Sequence, residues 1–379
     1  MIIVNVIANM AFERVNLKIT LGLIAASEEY PPSQLVKFGV TAESKGLDAV
    51  WASDHFHPWY DTNAHGAFAW EVLSAVGALT KNVILGTSVT CPLLRYPPPI
   101  VAQAFATLSC LYPGRVFLGV GTGEALNEVP CGFAWPQTHR ERLERLKEAV
   151  VTIRMLWNRT FVTNVGKFYS LTKANLYDKP NPPVPIHIAS TGPRGAEVAG
   201  MLGDAYMALP TENPSLFTEQ LFPAVDRGAR KVGRTGDQVE KSLLVHVGYA
   251  NGDHEKALHS LKLWKSTLLP VFFDLGVSDP RYVEAHGNRV SWDAVEKYFL
   301  VVSEAEDLIK FLETYIRLGF THIAAAPSGD VEGFLDVFGR NVSPYIQQTY
   351  GDPNTKSIPY AGSYTDANLT QYLEATQNH

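Results

Sequence analysis

The sequence predicts a (β/α)8 TIM barrel with insertion segments. Eight short apolar runs of strand character recur along the chain, and amphipathic helical patterns separate most of them, which favours parallel pairing. The alternative, a doubly wound open sheet, is expected to carry a Gly-x-Gly-x-x-Gly turn after an early strand. The candidate stretch "GVGTGE" has Glu124 where the last glycine should stand. The dinucleotide fingerprint therefore fails, and the barrel is favoured.

The predicted strands are short and apolar, and the first, "LKITLGLIA", also alternates as a strand does. Helix signals follow it: Pro31 and Pro32 suit a helix start, and Gly46 suits the end of that helix. The next units repeat this order, with helices predicted in "FAWEVLSAVGALT" and "PIVAQAFATLSCLYPG". The strands are predicted at 17–25, 48–52, 83–89, 115–120, 185–190, 204–209, 243–249 and 321–326.

The second half of the chain contains the clearest helix, "HRERLERLKEAVVTIRMLW", whose apolar residues recur every three to four positions with charges opposite. The stretch "GAEVAGMLG" is predicted as the helix between the fifth and sixth strands. Ser303 and Glu306 have the spacing of a capping box that opens the helix before the last strand, and Gly319 closes that helix.

The repeat is interrupted twice, and both interruptions are predicted to lie on the barrel rim, where loops commonly carry function. Residues 159–184 suggest a hairpin or a long loop, and residues 264–300 hold mixed helix and loop around the apolar stretch "LLPVFFDLGVSDP". We therefore predict one catalytic domain over residues 17–350. Residues 1–16 are predicted as an N-terminal extension, and residues 351–379 as a polar, loosely held C-terminal tail.

Composition argues against several classes of function. The 379 residues are 46% hydrophobic and 18% charged, the formal net charge is −6, and no run of lysine and arginine suggests a nucleic-acid partner. No apolar run reaches the length of a membrane span, and the start "MIIVNVIANM" has neither the basic beginning nor the clear cleavage site of a signal peptide. Three scattered cysteines form no disulfide framework and no CxxC zinc motif, which predicts a reducing, cytoplasmic compartment.

Chemically active side chains concentrate directly after the predicted strands, and the N-terminal strand ends show no comparable density. In a (β/α)8 barrel the carboxyl ends of the strands meet at one mouth, where active sites lie. This asymmetry favours an enzyme. The residues that follow the first five strands are Ser27, Glu28 and Glu29; Asp54, His55, His57 and Trp59; Ser88, Val89, Thr90 and Cys91; Thr122, Gly123, Glu124, Asn127 and Glu128; and Ser190, Thr191 and Gly192.

Each cluster also has a purely structural explanation. Asp54 and His55 could form a capped turn, yet four such residues after one barrel strand favour acid–base chemistry. A metal site built on His55 and His57 ranks well below that, because Pro58 and the tight spacing make convergence on one ion awkward. Glu124 follows a glycine-rich turn that a planar ligand can approach, or is simply a helix N-terminal acid. The stretch "ASTGPRGAEVAG" could cradle a phosphate or be an ordinary helix start.

The chain resembles the luciferase-like superfamily, in the branch that uses the deazaflavin coenzyme F420, over residues 17–340. The resemblance is carried by "SDHFHPW", "GTSVT", "AQAFATLSCLYPGRVFLGVGTGEALNEV" and "PVPIHIASTGP". The block over residues 102–129 is similar, almost residue for residue, to F420-dependent glucose-6-phosphate dehydrogenases. The stretches "DHFHPWY", "CP" and "NEVP" resemble F420-dependent secondary alcohol dehydrogenases more closely.

This resemblance implies a homodimeric luciferase-like TIM barrel with a non-prolyl cis peptide between Ser88 and Val89, which forms a bulge behind the deazaflavin ring. It implies His55 as the base for the substrate hydroxyl and Trp59 as hydrogen-bond donor to the developing oxyanion. It implies Glu124 as the partner of the ring edge at N1, with Glu28 nearby. The residues implied to hold the coenzyme are Asp54, Thr122, Gly123 and Asn127 at the ring and side chain, and Ser190, Thr191 and Gly192 at the phosphate.

The sequence departs from the sugar-phosphate branch where that branch carries cations that grip the phosphate. Glu212, a position near Asp274, and Tyr298 align with those cations, and acidic groups there repel a phosphate dianion. We therefore expect a small, uncharged secondary alcohol or ketone in a pocket lined by "LLPVFF". The alternatives are a sugar-phosphate dehydrogenase, an FMN-dependent luciferase-like monooxygenase, and a non-catalytic coenzyme-binding barrel.

Overall fold

Eight parallel strands close into a barrel in the computed structural model, which describes residues 19–351 and 362–377. The strands of this part of the chain are β1 (Thr20–Ala25), β2 (Ala49–Ala52), β3 (Ile84–Thr87), β4 (Val116–Val120), β5 (Val162–Val165), β6 (Ser170–Ala174), β7 (Ile186–Ala189), β8 (Ala205–Ala208), β9 (Glu240–Tyr249), β10 (Leu300–Val302) and β11 (His322–Gly329). The ring runs β1, β2, β3, β4, β7, β8, β9, β11, and β11 pairs with β1 to close it. Outside the ring, β10 pairs with β9.

Helices surround the ring. The α-helices of the described chain are α1 (Pro32–Ser44), α2 (Ala69–Leu79), α3 (Pro98–Leu111), α4 (Ala125–Glu128), α5 (His139–Asn158), α6 (Pro193–Leu202), α7 (Phe222–Arg230), α8 (His254–Ser260), α9 (Val271–Asp274), α10 (Pro280–Gly287), α11 (Trp292–Tyr298), α12 (Ala305–Arg317), α13 (Val331–Val337), α14 (Ser343–Tyr350) and α15 (Asp366–Gln377). Among them, none is both long and apolar enough to cross a bilayer.

The prediction of a (β/α)8 barrel is confirmed, and each of the eight predicted strands overlaps one strand of the ring. Helices between successive strands enforce parallel pairing, as the alternating pattern requires. The beginning of the first predicted strand and the predicted N-terminal extension over residues 1–16 lie outside the described residues.

Strand alternation divides the core into two layers. Side chains that point into the barrel form one apolar cluster, and those that point outward pack against the helices in a larger one. At the N-terminal end of the interior, Trp51 Nε1 donates a hydrogen bond to His322 Nε2 over 3.2 Å, and Phe117 stacks on His187 with ring centroids 4.2 Å apart. These buried rings fill this part of the barrel interior.

Both interruptions of the repeat have structure of their own. Strands β5 and β6 form an antiparallel hairpin within residues 159–184. Helices α9, α10 and α11 and a 3-10 helix over Leu261–Leu268 form the second interruption. There, Trp264 and Phe272 share a separate apolar cluster with Trp59 from the loop after β2. The second interruption therefore packs against the residues of the mouth.

One predicted helix cap is wrong by one residue. The N-cap of α12 is Glu304, and its capping-box partner is Asp307 rather than the predicted pair Ser303 and Glu306. The Glu304 side chain accepts a hydrogen bond from the backbone amide of Asp307, and the Asp307 side chain accepts one from the backbone amide of Glu304. Carboxylates can thus fill both roles of the box, which a search for serine or threonine does not detect.

The C-terminal segment is held more firmly than predicted over its described part, residues 362–377. The Tyr364 amide donates to Asp204 Oδ1 at 2.7 Å, and the Tyr364 ring lies 4.0 Å from the Arg154 guanidinium. Leu369 in α15 is fully buried. The prediction of a loosely held tail is therefore wrong for these residues. One aromatic side chain, Tyr364, and one aliphatic side chain, Leu369, anchor an otherwise polar stretch.

Candidate active site

The mouth gathers the side chains that follow β1 and β2, as the sequence predicts. Ile24 on β1 and Trp51 on β2 point into the barrel interior, and these strands are neighbours. Glu28 lies in the turn after β1, and His55 lies in the segment that follows β2. The predicted carboxylate and imidazole therefore come from adjacent strands to one point.

His55 and Glu28 form a buried ion pair, with His55 Nδ1 2.7 Å from Glu28 Oε1. Ser53 donates to the other carboxylate oxygen at 2.6 Å, and the Glu28 carbonyl accepts from the Tyr60 hydroxyl at 2.7 Å. Burial opposes both charges, but their attraction outweighs it, so the pKa of His55 is raised above 6.5 and that of Glu28 is lowered below 4.5. With Nδ1 facing the carboxylate, Nε2 is the nitrogen that can exchange a proton with a substrate.

Trp59 forms an apolar wall beside this pair. Its ring lies edge-on to the His55 ring, with centroids 6.2 Å apart, and packs at 5.0 Å against Phe273 from the second interruption. The Trp59 carbonyl accepts a hydrogen bond from the Ser266 hydroxyl at 2.9 Å, and only 3% of the residue is exposed. The segment over residues 261–299 thus fixes Trp59 next to the imidazole.

Asn127 connects the two predicted catalytic regions across the mouth. Its Nδ2 donates to Glu124 Oε2 at 3.0 Å, and its Oδ1 accepts from the backbone amides of Phe56 at 2.7 Å and His57 at 3.2 Å. The charge of Glu124 also contributes to raising the pKa of His55, although burial and Glu28 have larger effects. Asn127 therefore links Glu124 to the loop that carries His55, and the Glu124 carboxylate is close enough to act on the imidazole.

Asp54 and Glu128 hold Arg95 in a buried network. Arg95 Nη2 donates to the carbonyl oxygen and Oδ1 of Asp54 at 2.7 and 3.2 Å, and Arg95 Nε donates to Glu128 Oε1 at 3.1 Å. Thr90 donates to Asp54 Oδ2 at 2.6 Å. Because protein groups occupy the Asp54 carboxylate, the structure gives it a positioning role in the loop that carries His55. Contact with a coenzyme remains a prediction.

The backbone segments that follow β3 and β4 lie at the mouth. The peptide bond between Ser88 and Val89 is cis, as the resemblance implies. Gly123 has a φ of 68°, and a Cβ there would overlap the sulfur of Cys91. A left-handed backbone without a side chain is a role for glycine. Thr122 and Gly123 are half-buried at the mouth, so the bare backbone is accessible.

The predicted phosphate cradle lies at the start of α6. The Ser190 hydroxyl donates to the Gly192 carbonyl at 3.0 Å and accepts from the Gly192 amide at 3.2 Å. Gly192 is the N-cap and has no side-chain cap, Thr191 is exposed, and a Cβ added to Gly192 would meet no atom within 4 Å. First-turn amides with open space in front of them suit an anion.

His57 faces away from this site. Its Nδ1 lies 3.1 Å from the Ser278 carbonyl oxygen, and its ring stacks on Phe56 at 5.2 Å. The ring nitrogens of His55 and His57 therefore have different surroundings, which favours the acid–base interpretation of the cluster over the metal-ion alternative.

Sequence reasoning missed a second polar group at the mouth, formed by Glu29, His246, Trp264 and Ser328. Trp264 Nε1 and the Ser328 hydroxyl both donate to Glu29 Oε1, at 3.0 and 2.7 Å, and the His246 ring lies 4.3 Å from the Trp264 ring. Glu29 follows the first predicted strand, but the sequence pattern assigns no role to it. His246 lies within the predicted strand 243–249, where alternation alone does not tell which face is inward.

Comparisons with known proteins agree with this fold. A family model for luciferase-like monooxygenases matches residues 17–322. The F420-dependent glucose-6-phosphate dehydrogenase of Microbacterium testaceum (strain StLB037) is 40% identical over 330 residues, which is 87% of this chain and 98% of the relative. The relative of the same name from Mycolicibacterium smegmatis is 37% identical over 334 residues, 87% of this chain and 99% of the relative.

One solved structure that is similar in sequence and fold is named for a different substrate than the relatives above. An F420-dependent secondary alcohol dehydrogenase in complex with an F420-acetone adduct has a TM-score of 0.83 and 39% sequence identity, over 87% of this chain and 99% of that one. The coenzyme F420-dependent tetrahydromethanopterin reductase from Methanopyrus kandleri has a TM-score of 0.68 at 18% identity, over 86% of this chain and 99% of that one. At that identity the second likeness shows the fold alone.

Proposed function

The chain belongs to the luciferase-like monooxygenase family, and from that premise we propose that it is a coenzyme F420-dependent oxidoreductase that interconverts a small secondary alcohol and its ketone. The observation that carries the proposal is the buried His55–Glu28 pair at the barrel mouth. Oxidation of an alcohol needs a base for the hydroxyl proton beside a hydride acceptor. The names of relatives at 37–40% identity support F420 as that acceptor.

The mouth fits a planar coenzyme that carries a phosphate. A Cβ at Gly121 or Gly123 would collide with Val89 or Cys91, so both positions require glycine, and the half-buried backbone of Gly123 stays without a side chain. The buried Ser88 hydroxyl has no partner among the described residues, which leaves a polar atom for a ligand. The residues proposed to hold F420 are Asp54, Ser88, Val89, Thr122, Gly123, Asn127, Ser190, Thr191 and Gly192.

The residues of this chain handle the substrate and its proton, while bound F420 supplies a carbon that accepts a hydride. Neutral His55 accepts the hydroxyl proton at Nε2, and Glu28 stabilises the imidazolium through Nδ1. Trp59 excludes water beside the reacting carbon and offers its indole N–H to the substrate oxygen. Glu124, oriented by Asn127, would interact with the edge of a bound F420 ring. In ketone reduction the same proton returns from His55.

The charges around the outer mouth argue against a phosphorylated substrate. Lys297 pairs with Glu212 at 2.9 Å, and the Tyr298 hydroxyl donates to the same carboxylate at 3.3 Å. Lys265 lies 4.3 Å from the Trp292 ring, and burial lowers its pKa. A phosphate dianion is best held by cations that have no other partner. An uncharged alcohol needs none, so it suits this mouth better.

A second candidate is oxidation of glucose 6-phosphate, which the names of several relatives favour. To bind the phosphate, Lys297 would have to exchange its contact with Glu212 for the substrate, and the Glu212 carboxylate would stay close to the dianion. An FMN-dependent monooxygenase is a third candidate, favoured by the name of the family alone.

A binding titration followed by turnover assays tests these functions. We expect the fluorescence of F420 to be quenched by the protein, the fluorescence of FMN to stay unchanged, and 2-propanol to be oxidised with reduction of F420. Turnover of glucose 6-phosphate alone would overturn the proposed substrate. Quenching of FMN with consumption of oxygen would indicate the monooxygenase.

Two variants in one loop separate an enzyme from a coenzyme-binding barrel. His55→Ala is expected to bind F420 as the parent does and to lose turnover. His57→Ala is the matched control, because its ring faces Ser278 instead of the site, and it is expected to keep turnover. If the parent protein binds F420 but oxidises no alcohol, the binding barrel is the better description.

We also propose a homodimer in the cytoplasm, on the strength of the resemblance to an enzyme family of that kind. Size-exclusion chromatography with light scattering tests the assembly, and a single-chain mass of the eluted protein would contradict it. Fractionation of the source cells tests the location.

A further inference from the structure

The second polar group of the mouth, formed by Glu29, His246, Trp264 and Ser328, lies on the side of β9, β11 and β1 and has no part in the proposed mechanism. We call this group the second polar wall, or the wall. In the parallel register His246 pairs with Ala326, and Ala326 points into the barrel. Because residues in register on neighbouring strands face the same way, His246 also points inward. It lies two residues beyond the interior Leu244, on the side of the mouth.

Trp264 joins this imidazole to Glu29. Its ring lies 4.3 Å from the His246 ring, and its Nε1 donates to Glu29 Oε1 at 3.0 Å. Two buried atoms of the wall, Glu29 Oε2 and His246 Nδ1, have no hydrogen-bond partner of good geometry among the described residues, although the Tyr30 side chain is near enough to lower the pKa of Glu29. Native proteins rarely leave buried polar atoms unpaired, so each such atom needs an explanation. Two such atoms, on two side chains that both contact Trp264, point to a polar group of a ligand.

Both side chains of the wall are neutral near pH 7. Burial raises the pKa of Glu29 to about 8, although the hydrogen bonds from Ser328 and Trp264 act against it. Burial lowers the pKa of His246 to about 4, although the charge of Glu28 acts against it. A protonated carboxyl group donates a hydrogen bond, and a neutral imidazole nitrogen donates or accepts according to its tautomer. The wall therefore offers directional hydrogen bonds without net charge.

We propose that Glu29 and His246 bind a second oxygen of the substrate, next to the carbinol carbon that reacts at His55. The inference rests on the proposed function and narrows its substrate class. The substrate is an uncharged secondary alcohol that carries a hydroxyl or carbonyl group on a neighbouring carbon, such as a vicinal diol or an α-hydroxy ketone. The hydroxyl oxygen accepts from Glu29, and His246 takes the remaining hydrogen bond.

Two other substrate types fit this wall less well. A plain alkanol fills the mouth but leaves both buried polar atoms unpaired, and sites built to bind a hydroxyl discriminate strongly against analogues that lack it. An anionic substituent would lie close to the ionised carboxylate of Glu28, which repels it. The wall thus selects for an uncharged oxygen substituent.

A pair of matched substrates tests the proposal on the F420-loaded protein. We expect kcat/KM for 2,3-butanediol to exceed that for 2-butanol by at least about tenfold. His246→Phe and Glu29→Leu are each expected to reduce this ratio to about one, mainly by raising KM for the diol. Glu29→Gln, which keeps a donor and an acceptor, is expected to retain most of the preference. His254→Phe, an exposed histidine on α8 that contacts Glu296, serves as control and should keep the full ratio.

A binding measurement separates failure of this inference from failure of the proposed function. Calorimetric titration of the F420-loaded protein is expected to give a Kd for 3-hydroxy-2-butanone at least about tenfold below that for 2-butanone. Equal affinities, or a diol preference that survives in both His246→Phe and Glu29→Leu, would overturn the second subsite and leave the dehydrogenase proposal intact. Absence of F420 binding would instead overturn the proposed function itself.

Discussion

Replacement of Glu28 by glutamine is expected to move the acidic limb of the pH–rate profile to lower pH. In alcohol oxidation the active form of His55 is neutral, so the rate falls as the pH drops through the pKa of that imidazole. In the native protein, burial favours the neutral imidazole, but the charge of Glu28 at 2.7 Å outweighs burial and raises the pKa above 6.5. Without that charge, burial dominates and pushes the pKa down.

The close ion pair sets the size of the shift. An opposite charge within about 4–6 Å moves a pKa by roughly 1–3 units, and one unit corresponds to about 1.4 kcal/mol. The limb of kcat/KM for oxidation should therefore move down by roughly 1–3 pH units. The limb for ketone reduction, which needs protonated His55, should move in the same direction, so that reduction is weakened at neutral pH.

Stability should change over a defined pH range. The lowered pKa of Glu28 means that its contribution is present above its ordinary value of 4.5 and is lost as the pH falls through the lowered value. The raised pKa of His55 means that its contribution is present below 6.5 and is lost as the pH rises through the raised value. Urea unfolding should therefore show the largest loss for Glu28→Gln between pH 4.5 and 6.5 and a smaller loss at pH 9.

The neighbouring carboxyl group provides a matched control. Glu29 has a pKa of about 8, so below that pH Glu29→Gln exchanges one neutral side chain for another and should leave the position of the limb unchanged. The assay is steady-state oxidation of 2-propanol by the F420-loaded parent and both variants between pH 5 and 7.5. The assignment of His55 as a base whose pKa is raised by Glu28 would be refuted by either of two results. The acidic limb of Glu28→Gln could stay at the same pH or move to higher pH, or both variants could shift the limb equally.

Three further substitutions probe the supports of the site. Asn127→Ala should weaken F420 binding about fivefold, since one hydrogen bond is worth about 1 kcal/mol and 1.4 kcal/mol is tenfold in Kd; fluorescence titration measures it, and unchanged affinity would contradict it. Gly123→Ala should cost roughly 1–3 kcal/mol of unfolding free energy because of its positive φ, as followed by urea denaturation. Arg95→Met leaves Asp54 and Glu128 buried without their cation and should cost roughly 3–5 kcal/mol; a calorimetric Tm equal to that of the parent would contradict this.

The barrel was predictable because its strands are buried on both faces and read as apolar runs, while amphipathic helices separate them. The additions to the barrel were harder to predict. Strand β10 (Leu300–Val302) has three residues and pairs with β9 beyond the ring. The 3-10 helix Leu261–Leu268 is short, and it lies in the stretch for which the sequence predicts only mixed helix and loop. Such elements depend on contacts with the barrel rim, and those contacts exist only once the barrel has assembled.

The site was predictable where side chains follow strands directly, as with His55 and Glu28, because parallel strands deliver those residues to one mouth. Two contributors lacked that signal. His246 lies within a strand, and its inward direction becomes clear only from the pairing with Ala326. Trp264 comes from the second interruption, far from any strand end, and meets Glu29 through a contact 235 residues apart.

Glu28 and Glu29 are adjacent and chemically identical, yet they carry opposite protonation states at neutral pH. Burial favours the neutral form of both, but Glu28 faces an imidazole that becomes a cation, whereas Glu29 faces the neutral donors of Ser328, Trp264 and Tyr30. The charge on Glu28 then adds to the preference of Glu29 for its proton. Environments that push two pKa values apart assign two roles. One carboxylate sets the basicity of His55, and the other remains a hydrogen-bond donor, so loss of the imidazole should remove the distinction between them.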